Sequence, residues 1–193
     1  MFQWALKKHT GFTIVELLIV IVVIAILAAI TIVAYTGIQE RANNTAIVDG
    51  VGKIKRAVEA YAAANSTYPY TVESEYVCVT TDSTCRRNSN PMASTPAFDT
   101  AMASIGGLVR SVPLASDVRG GVTYQYNSSR TVDGRPAPAV LNYYVKGTST
   151  SCGLPALNTD NTTAVTTSSG YTNGNIGGSG VTYCVVSING PGV

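Results

Sequence analysis

The sequence predicts an α+β protein in which a long N-terminal helix, with its apolar first half in a membrane, packs on a C-terminal antiparallel β-sheet. Three observations predict this fold class. Residues 17–39 contain no charged residue and no proline. Apolar side chains then recur at helical spacing over residues 47–61. The later part of the 193-residue chain holds short β-branched, tyrosine-rich segments separated by turn-forming residues.

The apolar run is long enough to span a bilayer as a helix. Its 23 residues cover roughly 35 Å at about 1.5 Å per residue, against about 30 Å of hydrocarbon. A core helix of a soluble protein would keep a polar stripe, and this run has none. Lys7 and Lys8 stand just before the run, so the positive-inside tendency keeps the N-terminus cytoplasmic and exports the chain after about Gln39.

Glu16 is a carboxylate at the start of this otherwise uncharged segment. An ordinary secretory signal is cleaved after a shorter apolar stretch, whereas here the notable small residue, Gly11, precedes the apolar run. Cleavage after Gly11 would keep the helix on the protein and create an α-amino group on Phe12, four residues before Glu16. A charge at the bilayer centre costs roughly 2.5–3.5 kcal/mol. We therefore expect the amine of one subunit to neutralise Glu16 of a neighbour when the apolar helices pack together.

The segment KKHTGFTIVELLIVIVVIAILAAI, residues 7–30, resembles the processing and assembly motif of type IV prepilins and the related pseudopilins. The resemblance implies that a dedicated aspartyl peptidase cuts between Gly11 and Phe12 and methylates the new amine of Phe12. It also implies that Glu16, the fifth residue of the mature chain, acts with Phe12 in filament assembly. An ATPase-driven platform in the membrane would carry out that assembly.

Helical spacing continues beyond the membrane run. Apolar residues at spacings of 4, 3, 4 and 3 form one stripe, which consists of Ile47, Val51, Ile54, Val58 and Tyr61. The helix is expected to run from Phe12 to about Ala64, with Asn65 as a cap. Gly50 and Gly52 each weaken it by about 1 kcal/mol relative to alanine. They indicate a bend or a close packing contact, with a break into two helices as the alternative.

The remaining chain is expected to supply the sheet. Residues 70–95 are predicted to be a connecting loop with a short strand at 75–79, and apolar spacing predicts a short helix through Phe98, Met102, Ile105 and Val109. Three later strands are predicted: GVTYQYN, LNYYVKG and VTYCVVSI. The expected organisation is a cleaved leader (1–11), a transmembrane and filament-core helix (12–39), an amphipathic helix (40–65), and a connecting loop, sheet and C-terminal region (66–193).

All four cysteines lie in the exported part, where an even number favours two disulfides. Of the three pairings we favour Cys78–Cys85 and Cys152–Cys184, because each closes a Thr/Ser/Gly-rich segment with few apolar residues of its own. In the chain-entropy model these loops would stabilise the fold by roughly 2.5 and 3.7 kcal/mol. A zinc site is the alternative, but neither spacing is that of a CxxC knuckle. The resemblance implies that residues 157–180 form part of the outer surface of a filament.

The mature chain offers no catalytic constellation. The single histidine of the sequence, His9, lies in the leader and would be lost on cleavage. A Ser-His-Asp triad, a Cys-His pair and a histidine metal site are therefore excluded from the mature chain. No P-loop or dinucleotide-binding fingerprint is present. We therefore predict no enzyme, no cofactor and no metal. Glu73 and Glu75 could form a carboxylate pair, but they alternate along an extended segment and are expected to be solvated charges. Asn158, Asp160 and Asn161 could supply oxygen ligands for calcium, although the sequence shows no full ligand set.

The charge balance gives little support for nucleic-acid binding. Without Lys7 and Lys8 the chain has 11 basic side chains (13 − 2) and 11 acidic ones, so no broad positive surface is indicated. Arg86 and Arg87 form an adjacent basic pair in the exported part, directly after Cys85. They are the candidate contact for DNA phosphates or another anionic surface.

Together the motif and the fold class predict a structural subunit of a type IV pilus or a related extracellular filament. The expected partners are further copies of the chain, the prepilin peptidase and, indirectly, the assembly platform with its ATPase. The subunit would wait in the cytoplasmic membrane and reach the cell surface in the filament. A type II secretion pseudopilin and a DNA-uptake pilin are alternatives within this class. A membrane-anchored extracellular binding protein is the alternative from another class.

Overall fold

The structure is a computed structural model, and it describes residues 11–80, 85–87, 90–107, 111–132, 135–148, 150–154 and 180–191. The helices and strands, in chain order, are α1 (Ile14–Asn65), β1 (Tyr76–Cys78), β2 (Arg86–Arg87), β3 (Asn90–Pro91), α2 (Pro96–Ala103), β4 (Thr123–Tyr126), β5 (Thr131–Val132), β6 (Arg135–Pro136), β7 (Ala139–Lys146) and β8 (Val181–Ser187). The chain divides into two compact units, Met1–Glu40 and Arg41–Val193. The division lies next to the expected boundary after residue 39.

The first unit contains the start of α1. This helix begins at Ile14, two residues later than expected, because Thr13 caps it. Among the described helices, α1 is the one that is long and apolar enough to cross a membrane. Its described large apolar side chains up to Ile38 are exposed.

In the second unit the predicted stripe of α1 faces the core. Four of its members, Ile47, Val51, Ile54 and Val58, are at most 1% exposed. Ala62 completes the stripe because it follows Val58 by one helical turn, and it is fully buried. The helix ends at Asn65, as expected.

Gly50 is a point of close packing and not a break in the helix. A Cβ added at this position would lie 2.7 Å from Cγ2 of Val112, well inside the ordinary contact distance between carbon atoms. The helix continues without interruption through Gly50 and Gly52. The interpretation of Gly50 as a close contact is therefore confirmed.

The four-stranded sheet is antiparallel and has the order β1–β4–β7–β8. Leu141 of β7 lies opposite Tyr124 on one side and Val186 on the other. Directly opposed residues share a face of the sheet, and these three join the stripe of α1 in one hydrophobic core. α2 adds Phe98, whose ring centroid lies 5.2 Å from that of Tyr124. The predicted α+β fold class is confirmed.

Three local differences separate the expected elements from those of the structure. The expected connecting loop contains one small hairpin, β2–β3, and a second, β5–β6, lies between the predicted strands GVTYQYN and LNYYVKG. The two-residue strands of these hairpins are too short to produce a periodic pattern. α2 starts at Pro96 because Thr95 accepts a hydrogen bond from the backbone N–H of Phe98. It ends at Ala103, and Gly106 and Gly107 follow with positive φ. Val109, which the expected helix included, lies outside the described residues.

Two buried tyrosines use their hydroxyl groups to hold loops against the sheet. The hydroxyl of Tyr124 donates to the backbone oxygen of Tyr70 at 2.8 Å, and that of Tyr143 donates to the backbone oxygen of Cys152 at 2.7 Å. Burial raises the pKa of both Tyr124 and Tyr143 above the usual value of a tyrosine. The folded protein therefore favours the neutral hydroxyls.

Candidate processing and assembly site

A capping box marks the start of α1. The backbone N–H of Glu16 donates to Oγ1 of Thr13 at 3.2 Å, and the backbone N–H of Thr13 donates to Oε2 of Glu16 at 2.8 Å. The hydroxyl of Thr13 also donates to Oε2 of Glu16, at 2.8 Å. This is the reciprocal arrangement in which a threonine and a glutamate three residues later satisfy each other's backbone groups. Thr13 is therefore the N-cap of α1, and Glu16 lies in its first turn.

Sequence reasoning missed the role of Thr13. The expected partner of Glu16 was the amine of another subunit, whereas in the structure its carboxylate accepts two hydrogen bonds from Thr13 of the same chain. The pattern T-I-V-E before an apolar run is the sequence signature of a capping box, so the signal was present. Within the described residues, Oε1 of Glu16 accepts no hydrogen bond, which leaves one carboxylate oxygen for a partner outside the chain.

The expected scissile bond lies just outside the helix. Gly11 and Phe12 precede the helix, and the side chain of Phe12 is 84% exposed. A Cβ added to Gly11 would meet no other atom within 4 Å. The fold therefore makes no steric demand for glycine at this position, and a requirement for glycine would come from the peptidase. Lys7, Lys8 and His9 lie outside the described residues.

The surface after the capping box is almost entirely apolar. All its described large apolar side chains are about half exposed or more, including Leu17, Leu18, Ile19, Ile21, Ile24, Leu27 and Ile30. Contiguous exposed apolar surface of this extent marks a region that contacts lipid or other protein. The first unit of this chain offers nothing to cover it, since its described residues belong to the one helix and the few residues before it.

The cysteines form two disulfides in the second unit. Cys78 and Cys85 are bonded, with their Cα atoms 5.6 Å apart, so this predicted pair is confirmed. Cys152 is bonded to Cys184 with a Cα separation of 5.8 Å. The second bridge fastens the segment after β7 to β8. The segment 157–180, for which an outer-surface role is expected, lies outside the described residues except for Gly180.

The candidate anion contact is only partly described. Arg86 is exposed, and its Nη1 donates to the backbone oxygen of Asp117 at 3.1 Å. Its own backbone bridges to Gly120, which holds β2 against the loop before β4. The guanidinium is thus held in place by a neutral acceptor and keeps its charge facing solvent. The side chain of Arg87 lies outside the described residues.

The acidic residues of the connecting loop have local structural partners. Glu73 accepts hydrogen bonds from the backbone N–H of Ser128, and Glu75 accepts one from the hydroxyl of Tyr70 at 2.6 Å. Both remain exposed, as expected, but they also hold the loop in place. Among the described residues no group of three or more His, Cys, Asp or Glu side chains could hold a metal ion. Asn158, Asp160 and Asn161 lie outside the described residues.

Comparison with known proteins bears on the N-terminal segment. Residues 6–32 match the family described as "Prokaryotic N-terminal methylation motif". The chain is 33% identical over 66 residues to the type II secretion system core protein G of Vibrio cholerae serotype O1, which covers 34% of this chain and 45% of that protein. It is 38% identical over 63 residues to the type IV wide pilus major component PilA4 of Thermus thermophilus, covering 33% and 48%.

These similarities are confined to part of each protein. A third relative, the type II secretion system core protein G of Escherichia coli, is 33% identical over 67 residues, which is 35% of this chain and 46% of that protein. The chain thus spans about half the length of the curated relatives it matches. No solved structure matches the chain significantly. The resemblance stated for the N-terminal segment is confirmed.

Proposed function

We propose that this chain, whose N-terminal segment is a prokaryotic methylation motif shared with a secretion-system core protein and a pilus component, is the structural subunit of a type IV pilus or a related extracellular filament. One observation carries the proposal. The first part of α1 has an exposed apolar surface with one carboxylate, Glu16, at its start. In the second unit, the apolar stripe of the same helix packs in the hydrophobic core with the disulfide-bonded sheet. Such a helix can serve in turn as a membrane anchor and as the core of a polymer.

The proposed mechanism is physical. Before assembly, lipid covers the apolar part of α1, and the basic leader keeps the N-terminus in the cytoplasm. The prepilin peptidase cuts between Gly11 and Phe12 and methylates the amine of Phe12. During assembly the helix leaves lipid for a bundle of identical helices, so its apolar surface stays out of water throughout. The platform and its ATPase supply the work of extraction.

The charge pair of the assembly step would specify the register between subunits. In the bundle, Glu16 of one subunit meets the methylated amine of Phe12 of its neighbour. A carboxylate left without that partner in an apolar bundle costs several kcal/mol, so misregistered packing is disfavoured. We assign this contact to Oε1 of Glu16, which accepts no hydrogen bond from any described residue.

Pairs of variants at Glu16 test the assembly role. Glu16→Gln retains a side-chain oxygen that can accept from Thr13 but removes the charge, whereas Glu16→Ala removes both. We expect both variants to insert into the membrane normally and to enter filaments at least about tenfold less than the wild type, because the amine of the neighbour loses its counter-charge. Amounts in the membrane and in sheared filaments would be compared by immunoblot. Normal filament yield from Glu16→Gln would show that the charge is not needed.

The most direct test of the whole proposal is the intact mass of protein sheared from the cell surface. We expect a mass that begins at methylated Phe12 and rises by about 4 Da on reduction of two disulfides. This result would separate a filament subunit from the membrane-anchored binding protein, which would stay full-length in the membrane fraction. The cells used must contain the processing peptidase.

Within the class, a type II secretion pseudopilin is the nearest rival. The relatives include both a secretion-system core protein and a pilus component, so the N-terminal segment does not separate the two. The two disulfides favour a pilin, since bridges strengthen a domain that has to survive outside the cell. Abundance in sheared surface filaments, compared with retention in the cell envelope, would decide between them.

Arg86 supports a DNA-uptake pilin as the second candidate. Its guanidinium is exposed and oriented by a neutral carbonyl, which leaves its charge available for a phosphate. If Arg86 and Arg87 contact DNA, binding should weaken with salt, and Arg86→Gln should reduce the salt slope by about 1. An unchanged slope would remove this role.

A further inference from the structure

We propose that Thr13 is a positioning residue for leader cleavage. Its capping box fixes the N-terminal end of α1 two residues after the scissile bond. The Gly11–Phe12 bond therefore stays outside the helix, where a peptidase can bind it. This inference rests on the proposed function, since it concerns the processing of a prepilin. The role is separate from the charge of Glu16 in assembly, and the residue that carries it is different.

The capping box fixes the N-terminal end of α1 at one position. Oγ1 of Thr13 accepts the backbone N–H of Glu16, a group that has no partner within a helix starting at Ile14. Oε2 of Glu16 in return accepts the backbone N–H of Thr13, so that N–H is not available to extend the helix toward the leader. Both bonds are lost if the helix grows by another turn through Thr13.

The sequence contains a second capping residue just upstream. Thr10 is the nearest earlier residue whose side-chain oxygen can cap a helix. A helix capped by Thr10 would include Gly11 and Phe12 in its first turn. Proteases cut exposed, irregular backbone and need a helical bond to unwind first. The competition between the two caps therefore sets how often the scissile bond is accessible.

The size of the effect follows from the strength of helix caps. A threonine cap shifts the equilibrium at a helix end by roughly two- to thirtyfold relative to a residue that cannot cap. We therefore expect Thr13→Val, which keeps the branched shape but lacks the acceptor oxygen, to slow cleavage about fivefold. Thr13→Ser keeps the oxygen and should be cleaved at close to the wild-type rate.

The experiment uses the full-length precursor in membranes that contain a prepilin peptidase. Loss of residues 1–11 would be followed in time by mass spectrometry for the wild type, Thr13→Val and Thr13→Ser. Slower cleavage of Thr13→Val alone supports the proposal. Cleavage of Thr13→Val at the wild-type rate overturns it, and so does equal slowing of Thr13→Ser, which would show that the peptidase requires threonine itself and not a helix cap.

A second variant tests the competition directly. Adding Thr10→Ala to Thr13→Val removes the upstream cap and should restore most of the lost rate, with Thr10→Ala alone as the control. Failure of this rescue would overturn the competition between the caps even if Thr13→Val were slow. A wild-type chain that is never cut would instead refute the proposed function, so the two failures are distinguishable.

Discussion

Alanine at Gly52 should stabilise the protein, whereas alanine at Gly50, two residues earlier on the same helix, should not. Both glycines are buried in the interior of α1, where alanine is favoured over glycine by about 0.8–1 kcal/mol. Any difference between the two variants therefore comes from what the added methyl group touches. The two positions form a matched pair, since backbone propensity and burial are the same.

The contacts around the two glycines differ in a way that can be converted to energy. At Gly52 the new Cβ would lie 3.6 Å from Nη1 of Arg56 and 3.9 Å from Cδ2 of Leu154, which is ordinary contact. At Gly50 it would lie 2.7 Å from Cγ2 of Val112, and a branched valine has little freedom to move away. Overpacking of this kind costs roughly 1–3 kcal/mol.

The expected results follow from adding the two terms. Gly52→Ala should raise the free energy of unfolding by about 1 kcal/mol, or the melting temperature by about 2–4 °C for a chain of this size. Gly50→Ala should lower the free energy of unfolding by about 0–2 kcal/mol. The assay is thermal and denaturant unfolding of the detergent-solubilised chain, followed by circular dichroism.

A double mutant decides whether the Val112 contact is the cause. Val112→Ala removes the atom that the new methyl group would strike, so Gly50→Ala should become at least about 1 kcal/mol more favourable in that background. If Gly50→Ala and Gly52→Ala stabilise the protein equally, the close approach of α1 to Val112 is wrong. The same conclusion follows if the double mutant shows no coupling.

Two further predictions concern the second unit. Because burial raises the pKa of Tyr124 and Tyr143, the folded state binds more protons than the unfolded state above the unfolded pKa of about 10. These groups should not affect the free energy of unfolding below that pH, and above it the free energy of unfolding should fall by about 1.4 kcal/mol per pH unit for each tyrosine. In alkaline denaturation, Tyr124→Phe should therefore remove the contribution of one tyrosine to this pH dependence. Gly121→Ala should destabilise the fold by about 2 kcal/mol or more, because Gly121 has a φ of +77° and its Cβ would lie 2.8 Å from Cα of Cys85. Denaturant unfolding would measure the loss, and a value near zero would contradict the close approach.

Most features of α1 could be predicted from local sequence patterns. The uncharged run, the stripe from Ile47 to Val58 and the end of the helix at Asn65 each depend on residues within a few turns of one another, so local patterns identify them. The Cys78–Cys85 bridge is local in the same sense, since it closes a loop with a sequence separation of 7. The signature of the capping box is equally local, since Thr13 and Glu16 lie within one helical turn of each other.

Composition and periodicity were enough to predict the apolar length of α1, the side of the helix that is buried and the class of the fold. These properties act over short distances along the chain, so a single sequence contains them. The strand order β1–β4–β7–β8, the contact of Gly50 with Val112 and the environment that keeps Tyr124 neutral became visible in the folded chain. Each of these joins residues that are far apart in the chain, and their pairing is selected by packing in three dimensions, which no local pattern encodes.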